Sequence, residues 1–421
     1  MAKLYNKDSI ESLSPLEFTR LRPGVYAGDT TYSTQLLVEI ISNAVDEFRL
    51  GNGNRIEVTI NKDIVSVRDY GQGFLVNEIR EDGKTVLEAA FSVLNTSGKY
   101  REDGTYEGTS LGSFGIGSKI TTFLSHWLEV TTWRDNKSEK IMFKEGVFED
   151  RLLETEIQAK NGTQVRWQPS EEFFTHTEVE LEKIKDLFNT ITCLCPGLEI
   201  VLNLGGENSA IFYSKNGIDD LVDKAIKDKE IINNRFNMKY ENGKNKIDMV
   251  LTYTSNYSLT LIPYVNTGLT EKGPHITQIK TIITRELNKF FKEKKWLKTG
   301  DENLTGEDLQ EGMYIVFNIT APNIAYDAQV KSTVTKIDMT PFSQVIADNL
   351  QYWLKNNEKE IKIIADKAIA AKRAREAAKK ARDNARNATK KKEKALKFDS
   401  KLADCNGKDR SQCEIYITER R

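Results

Sequence analysis

Glu39, Asn43, Asp46 and Glu47 are the first residues whose types and spacing point to chemistry. They lie in Gln35-Leu-Leu-Val-Glu-Ile-Ile-Ser-Asn-Ala-Val-Asp-Glu-Phe48, and at about 100° per residue they share one stripe of a helix. Leu37, Ile41, Ala44, Val45 and Phe48 fall on the opposite side. A carboxylate on such a stripe can activate water, and an amide one turn later can ligate Mg²⁺. A phosphate-bound Mg²⁺ keeps several waters and takes only one or two protein oxygens. The same spacing also suits an ordinary amphipathic surface helix.

Asp69-Tyr-Gly-Gln-Gly closes a strand pattern. Gly71 and Gly73 let backbone approach a flat ligand closely, and Asp69 can accept the amino hydrogens of adenine. The run is equally that of a common turn. Gly98 and Lys99 stand in Asn95-Thr-Ser-Gly-Lys-Tyr, ahead of Gly108-Thr-Ser-Leu-Gly-Ser-Phe-Gly-Ile-Gly-Ser-Lys119. Backbone from Gly112 through Ser113, Phe114, Gly115 and Ile116 to Gly117, feeding a helix N-terminus, would present N–H groups to an anion. This is not the spacing of a Walker A loop, and no parallel βαβ pattern of a dinucleotide fold surrounds it. Thr163 opens a strand in Asn161-Gly-Thr, and Gln329-Val-Lys331 lies far downstream; neither carries meaning alone.

These groups need elements to hold them. The pattern predicts a helix over 34–50, strands over 56–60 and 64–67, and turns at Gly51-Asn-Gly-Asn and Asn61-Lys-Asp. Residues 95–117 lack a period and read as a functional loop such as a lid, with a helix resuming at Ser118. Strands are expected near 128–133, 140–143 and 163–167. The pattern breaks at Gly205-Gly-Glu-Asn, where a domain boundary is expected. Beyond it come strands near 249–253 and 259–265, a helix over about 275–295 and a strand near 313–320, in the order of a crossover unit. Residues 342–396 hold no glycine or proline, and their later part is dense in Ala, Lys and Arg, so one or two long helices are expected.

The bulk composition bounds the function class. The chain has 421 residues, 39% hydrophobic and 29% charged, which suits two to three domains with real cores. Its 61 basic and 62 acidic residues leave a net charge of −1, but the basic charge is concentrated late, as for a local anionic partner. Cys193, Cys195, Cys405 and Cys413 lack zinc-ribbon spacing and read as reduced thiols. The N-terminus lacks the apolar stretch of a signal peptide, and no apolar run approaches membrane-spanning length. A soluble, cytoplasmic protein with no membrane partner is expected.

The order of the motifs says more than any one of them. A Glu-x-x-x-Asn helix, Asp-x-Gly-x-Gly, a Gly-rich lid and Gly-Thr in succession resemble the ATPase superfamily of gyrase, heat-shock chaperones, histidine kinases and MutL. Leu21-Arg-Pro-Gly-Val-Tyr-Ala-Gly28, Arg373-Ala-Arg-Glu-Ala-Ala-Lys-Lys-Ala-Arg382 and Lys401-Leu-Ala-Asp-Cys405 narrow this. They resemble, in correct order, stretches of the B subunits of bacterial-type type II DNA topoisomerases, gyrase B and its topoisomerase IV counterpart. The resemblance covers essentially the whole chain.

The resemblance implies an α+β architecture. A mixed sheet with helices on one face forms the ATPase domain, with an N-terminal arm, over residues 1–215. A ribosomal-S5-like transducer domain with a long C-terminal helix follows over 216–395, and 396–421 is a linker with the first strand of a TOPRIM domain. ATP and Mg²⁺ are the implied cofactors. Glu39 would be the general base, Asn43 the Mg²⁺ ligand, and Asp46 and Glu47 supports of that helix face. Asp69 would bind adenine with Thr163 helping through water. Gly98, Lys99 and Gly112–Gly117 would cradle the phosphates, Gln329 and Lys331 would reach the γ-phosphate, and Tyr5 would cross to a partner protomer's nucleotide. Implied partners are DNA, through the basic stretch 367–397, the topoisomerase A subunit, and a second copy in a homodimer that forms on ATP binding. A nucleoid-associated site follows.

Departures from the family pattern fall in the loops. Gln72 stands where bacterial gyrases carry an arginine that contacts coumarins, whereas Arg134 matches a second such arginine. Asn95-Thr-Ser-Gly-Lys replaces His-Ala-Gly-Gly-Lys, and Ser113-Phe-Gly-Ile-Gly replaces Leu-His-Gly-Val-Gly. Glu419 matches the TOPRIM catalytic acid, but the residues expected to follow it are not in the sequence, so DNA cleavage by this polypeptide alone is not expected. Two other readings stand beside this one: another ATPase of the superfamily, and a nucleotide-gated DNA-binding clamp with little turnover. A histidine kinase is disfavoured, since none of His126, His176 and His275 sits in a long helix ahead of the ATP motifs.

Overall fold

The computed structural model describes residues 13–94, 96, 116–205, 209–297, 300–327, 331–396 and 409–414. Tyr5, Gly98, Lys99, Gly112, Ser113, Phe114, Gly115, Gln329 and Glu419 lie outside these described residues.

The first unit runs α1 (Pro15–Leu21), α2 (Pro23–Ala27), α3 (Thr34–Arg49), β1 (Arg55–Asn61), β2 (Ile64–Asp69), α4 (Val86–Ser92), α5 (Gly117–Phe123), β3 (Ser125–Arg134), β4 (Lys137–Lys144), β5 (Val147–Thr155), β6 (Gly162–Pro169), α6 (Leu181–Leu194), β7 (Glu199–Asn203) and β8 (Ser209–Tyr213). The second runs α7 (Ile218–Ile226), β9 (Phe236–Asn242), β10 (Asn245–Tyr253), β11 (Thr260–Val265), β12 (Gly268–Leu269), α8 (Pro274–Glu293), α9 (Gly306–Gln310), β13 (Met313–Thr320), β14 (Ala325–Tyr326), β15 (Val334–Lys336), α10 (Thr340–Asn356) and α11 (Glu358–Leu396).

Sheet one is mixed, eight-stranded and ordered β5-β4-β3-β6-β2-β1-β7-β8. Its pairs are antiparallel except β1 with β7. Alternation puts Val58, Val67, Val130, Ile141 and Val165 on a buried face beneath α3, α5 and α6. Thr59, Ser66 and Arg166 face the other way and carry no helix. This is the α+β layer expected, with helices on one face. α3 follows the expected amphipathic pattern: Leu36, Leu37, Ile40, Ile41, Ala44 and Val45 are buried in the same core.

Sheet two is ordered β12-β11-β13-β10-β9, and β11 pairs parallel with β13 through the crossover helix α8. α8, α10 and the start of α11 cover one face. α7 covers the other, and there Leu194 of α6 joins Val222, Val250, Tyr314 and Val316 in a core shared by both units. The expected boundary near residue 215 falls between β8 and α7. The long C-terminal helix is interrupted at Asn357, whose φ of −124° leaves the helical region between α10 and α11. α11 buries Ile361, Ile364, Ala365, Ala368 and Ala371 before leaving the body. Arg375 ties it down through two hydrogen bonds to the buried Asp308 carboxylate, at 2.7 and 2.9 Å. No helix among the described residues is long and apolar enough to cross a membrane.

Candidate functional site

A cavity of about 720 Å³ opens between α3, the β2 end, α4 and the start of α5, within the usual size range of a small-molecule site. Glu39, Asn43 and Glu47 line one side, Asp69, Gln72, Gly73 and Thr163 another, and Ile116, Gly117 and Lys119 a third. Residues far apart in sequence are thus gathered by one helix face and three strand ends.

The loop after β2 owes its path to Glu47 and Asp69. Asp69 Oδ1 accepts from the backbone N–H of Gly71 at 2.8 Å and of Thr163 at 3.3 Å. Glu47 Oε2 accepts from Gln72 N–H at 3.3 Å. A Cβ on Gly71 would lie 2.8 Å from the Glu47 side chain, and one on Gly73, at φ +73°, 2.4 Å from the Trp133 carbonyl oxygen. Packing therefore requires glycine at both positions. Burial, the largest influence, pushes the Asp69 carboxyl up to about 6 against the N–H donors and Arg68 that favour its ionised form. Its acceptor strength is therefore lost as pH falls below that value. If Asp69 binds the adenine amino group, Asp69→Ala should weaken nucleotide binding about tenfold to hundredfold, as read by calorimetric titration; unchanged affinity would refute the adenine role.

Glu39 stands at the α5 end of the cavity. Gln35 Nε2 donates to its Oε1 at 2.8 Å, and a Cβ on Gly117 would fall 2.1 Å from its Oε2, so α5 starts directly against the carboxylate. Burial raises its pKa; the Lys331 ammonium and the Gln35 amide oppose that. Lys331, far downstream in the second unit, is thus close enough to act electrostatically on the carboxylate. It holds φ +57°, a left-handed conformation unusual for a side-chain-bearing residue and associated with functional loops.

Asn43 is exposed on the cavity wall one turn from Glu39, and no cluster of three or more metal-ligating His, Cys, Asp or Glu side chains occurs among the described residues. A single neutral amide oxygen suits a cation that a triphosphate already holds. Asp46 departs from expectation. It does not line the cavity but is buried at 2% exposure, with Oδ1 3.9 Å from the Arg49 guanidinium. Asp46 lies close enough to the buried Cys195 thiol of the first unit's core to act on it electrostatically.

Two cavity groups, Lys119 and Arg80, were not singled out from the sequence, whereas Arg134 was, as the match to a coumarin-contacting arginine. Lys119 is 3% exposed, its Nζ donates to the Thr96 carbonyl at 2.9 Å, and burial pushes its pKa down to about 8. Arg80 and Arg134 also line the cavity, and Arg134 donates to the Gly73 carbonyl at 3.2 Å. A lysine one turn into a helix that opens on a Gly-rich loop is the signal that could have found Lys119. An anionic ligand would favour its charged form, so affinity for an ATP analogue should fall as pH rises past about 8. Lys119→Met should flatten that dependence. An identical pH profile in the variant would remove Lys119 from the site.

The chain is similar to known proteins over most of its length. A family model described as DNA gyrase B matches residues 217–384. The B subunit of DNA topoisomerase 4 from Staphylococcus aureus is 34% identical over 427 residues, covering 99% of this chain and 64% of that protein. The chain therefore spans a little under two thirds of the length of the curated relatives it matches. Among solved structures, the 43K ATPase domain of Thermus thermophilus gyrase B, in complex with an aminocoumarin, superposes with a TM-score of 0.69 at 27% identity. That match covers 87% of this chain and 97% of the other. The topoisomerase IV ATP-binding domain of Francisella tularensis shares the fold, with a TM-score of 0.72 at 24% identity, over 86% and 97% of the two chains.

Proposed function

Given that this chain belongs to the family of DNA gyrase B and topoisomerase IV B subunits, we propose that it binds and hydrolyses ATP as the ATP-gated clamp of a type II DNA topoisomerase. The observation that supports this reading is a cavity with the buried Glu39 carboxylate at one end and Asp69 at the other, where the Lys331 ammonium of the second unit acts electrostatically on Glu39. A buried carboxylate beside a cavity suits a general base for water. A cation from the second unit suits stabilisation of charge on the transferred phosphoryl group, and ties that unit's position to the presence of the γ-phosphate.

Adenine would lie against Asp69, with the backbone of Thr163 and Gly71 holding the carboxylate in place. Lys119 and the N-terminus of α5 would face phosphate oxygens. Asn43 would hold Mg²⁺, which when bound supplies charge neutralisation on the phosphates. The lid residues Gly98, Lys99 and Gly112 to Gly115, with Tyr5 and Gln329, keep the roles the family resemblance implies.

DNA is the proposed macromolecular substrate. Arg373, Lys379, Lys380, Arg382 and Arg386 are exposed along α11, a row suited to salt-dependent phosphate contacts. A second copy, joined when ATP binds, and the topoisomerase A subunit are the proposed protein partners; closure of two copies around DNA would be the gate. Size-exclusion chromatography with light scattering tests the gate. The mass should double only with Mg²⁺ and a non-hydrolysable ATP analogue. A constant mass would remove the gate and leave a lone ATPase.

A further inference from the structure

Arg49 ends the helix that carries Glu39, and its guanidinium reaches into the second unit. Nη1 donates to the Asn266 carbonyl at 3.3 Å and Nη2 to Thr320 Oγ1 at 3.3 Å. Within its own unit the same group faces buried Asp46 at 3.9 Å. The turn it reaches is stiff. Asn266 and Thr267 hold φ of +50° and +68°, and the Asn266 amide exchanges two hydrogen bonds of 3.1 Å with the Ala321 backbone.

The strand leaving that turn leads back to the nucleotide. Glu271 N–H donates to the Ser332 carbonyl at 2.7 Å, and Val334 N–H to the Lys272 carbonyl at 2.9 Å. Ser332 directly follows Lys331. The second unit therefore acts on α3 at two places: electrostatically on Glu39 through Lys331, and by hydrogen bonds to Arg49 through the turn. The two points lie about 15 Å apart along the helix axis at its usual rise per residue. If the influence at Glu39 changes, the hydrogen bonds at Arg49 can stay in place while the rest of the second unit moves about them. The Lys331 end faces the cavity, where a nucleotide changes the charge. The Arg49 end is made of protein atoms only.

We propose that Arg49 is a positioning residue, the pivot about which the second unit swings as Lys331 gains or loses its nucleotide contact. This rests on the ATPase reading, and it adds a residue to which neither the motifs nor the comparisons assign a role. Arg49 is not a catalytic residue, because it touches neither the cavity nor Glu39.

Arg49→Met keeps the side chain's length and removes its donors. Steady-state ATPase of the full chain should show kcat lowered about tenfold, the range in which coupling residues act, with KM within about twofold of the wild type. Thr320→Val should give a smaller loss, and the double variant no more than Arg49→Met alone. Unchanged kcat would overturn the proposal, as would a loss confined to KM. A second readout does not depend on turnover: fluorescence energy transfer between labels on the two units. Arg49→Met should broaden the inter-unit distance distribution with and without an ATP analogue, whereas an unchanged distribution would overturn the pivot. Absence of ATPase in the wild type would defeat the functional reading while leaving this second test standing.

Discussion

Glu39→Gln is expected to lower kcat about a thousandfold, within the range general-base removal produces, while nucleotide affinity stays near that of the wild type. The substitution keeps size and hydrogen-bonding reach, so Gln35 and the start of α5 can remain in place; only the proton-accepting capacity is lost. The pH dependence supplies a second check. A general base works ionised, and burial raises the Glu39 pKa, more than Lys331 and Gln35 pull it down. The acid limb of the wild-type kcat profile should therefore lie above the range of an ordinary glutamate and disappear in the variant. Phosphate release measured beside calorimetric binding of an analogue separates the two effects. Turnover above about a tenth of the wild type would remove Glu39 as the base.

Lys331→Ala should cost about a hundredfold in kcat, the scale of losing one preorganised charge-stabilising donor. Its effect should reach beyond chemistry. Lys331 lowers the Glu39 pKa, so without it the acid limb of the rate profile should move to higher pH. ADP and a triphosphate analogue should then bind more nearly alike, because the group that distinguishes them is gone. Normal turnover with an unshifted profile would contradict a role at the γ-phosphate and leave Lys331 a structural loop residue.

Much of the site was legible because its local pieces carry their own periodicity. Glu39, Asn43 and Glu47 share a stripe on α3 because the helix repeat dictates it, and the same repeat buries Leu37 and Ile41. Asp69 and its two glycines were legible as a strand end followed by a close-approach loop. The crossover through α8 was legible from strand and helix order, since the handedness and length of such connections leave few alternatives.

The strands β5, β7 and β8 and the helix α6 escaped notice. β5 is exposed on both faces, so its residues do not alternate. β7 pairs parallel with β1 across a separation that no local pattern encodes. Asp46 follows the helical repeat of its neighbours yet is buried, 3.9 Å from the Arg49 guanidinium, and the repeat holds no information about what packs on that side of α3.

By itself, the sequence determined the amphipathic helix, the Asp-Gly loop, the Gly-rich approach to a helix N-terminus and the late basic helix, all of which arise from interactions within a few residues along the chain. Only the tertiary structure decided that Lys331 acts on Glu39, that Lys119 is buried in the cavity, and that Arg49 reaches the second unit. Those contacts join residues from separate elements and, for Lys331 and Arg49, from separate units. Their energies depend on burial and charge created by packing, and no spacing in the chain records them.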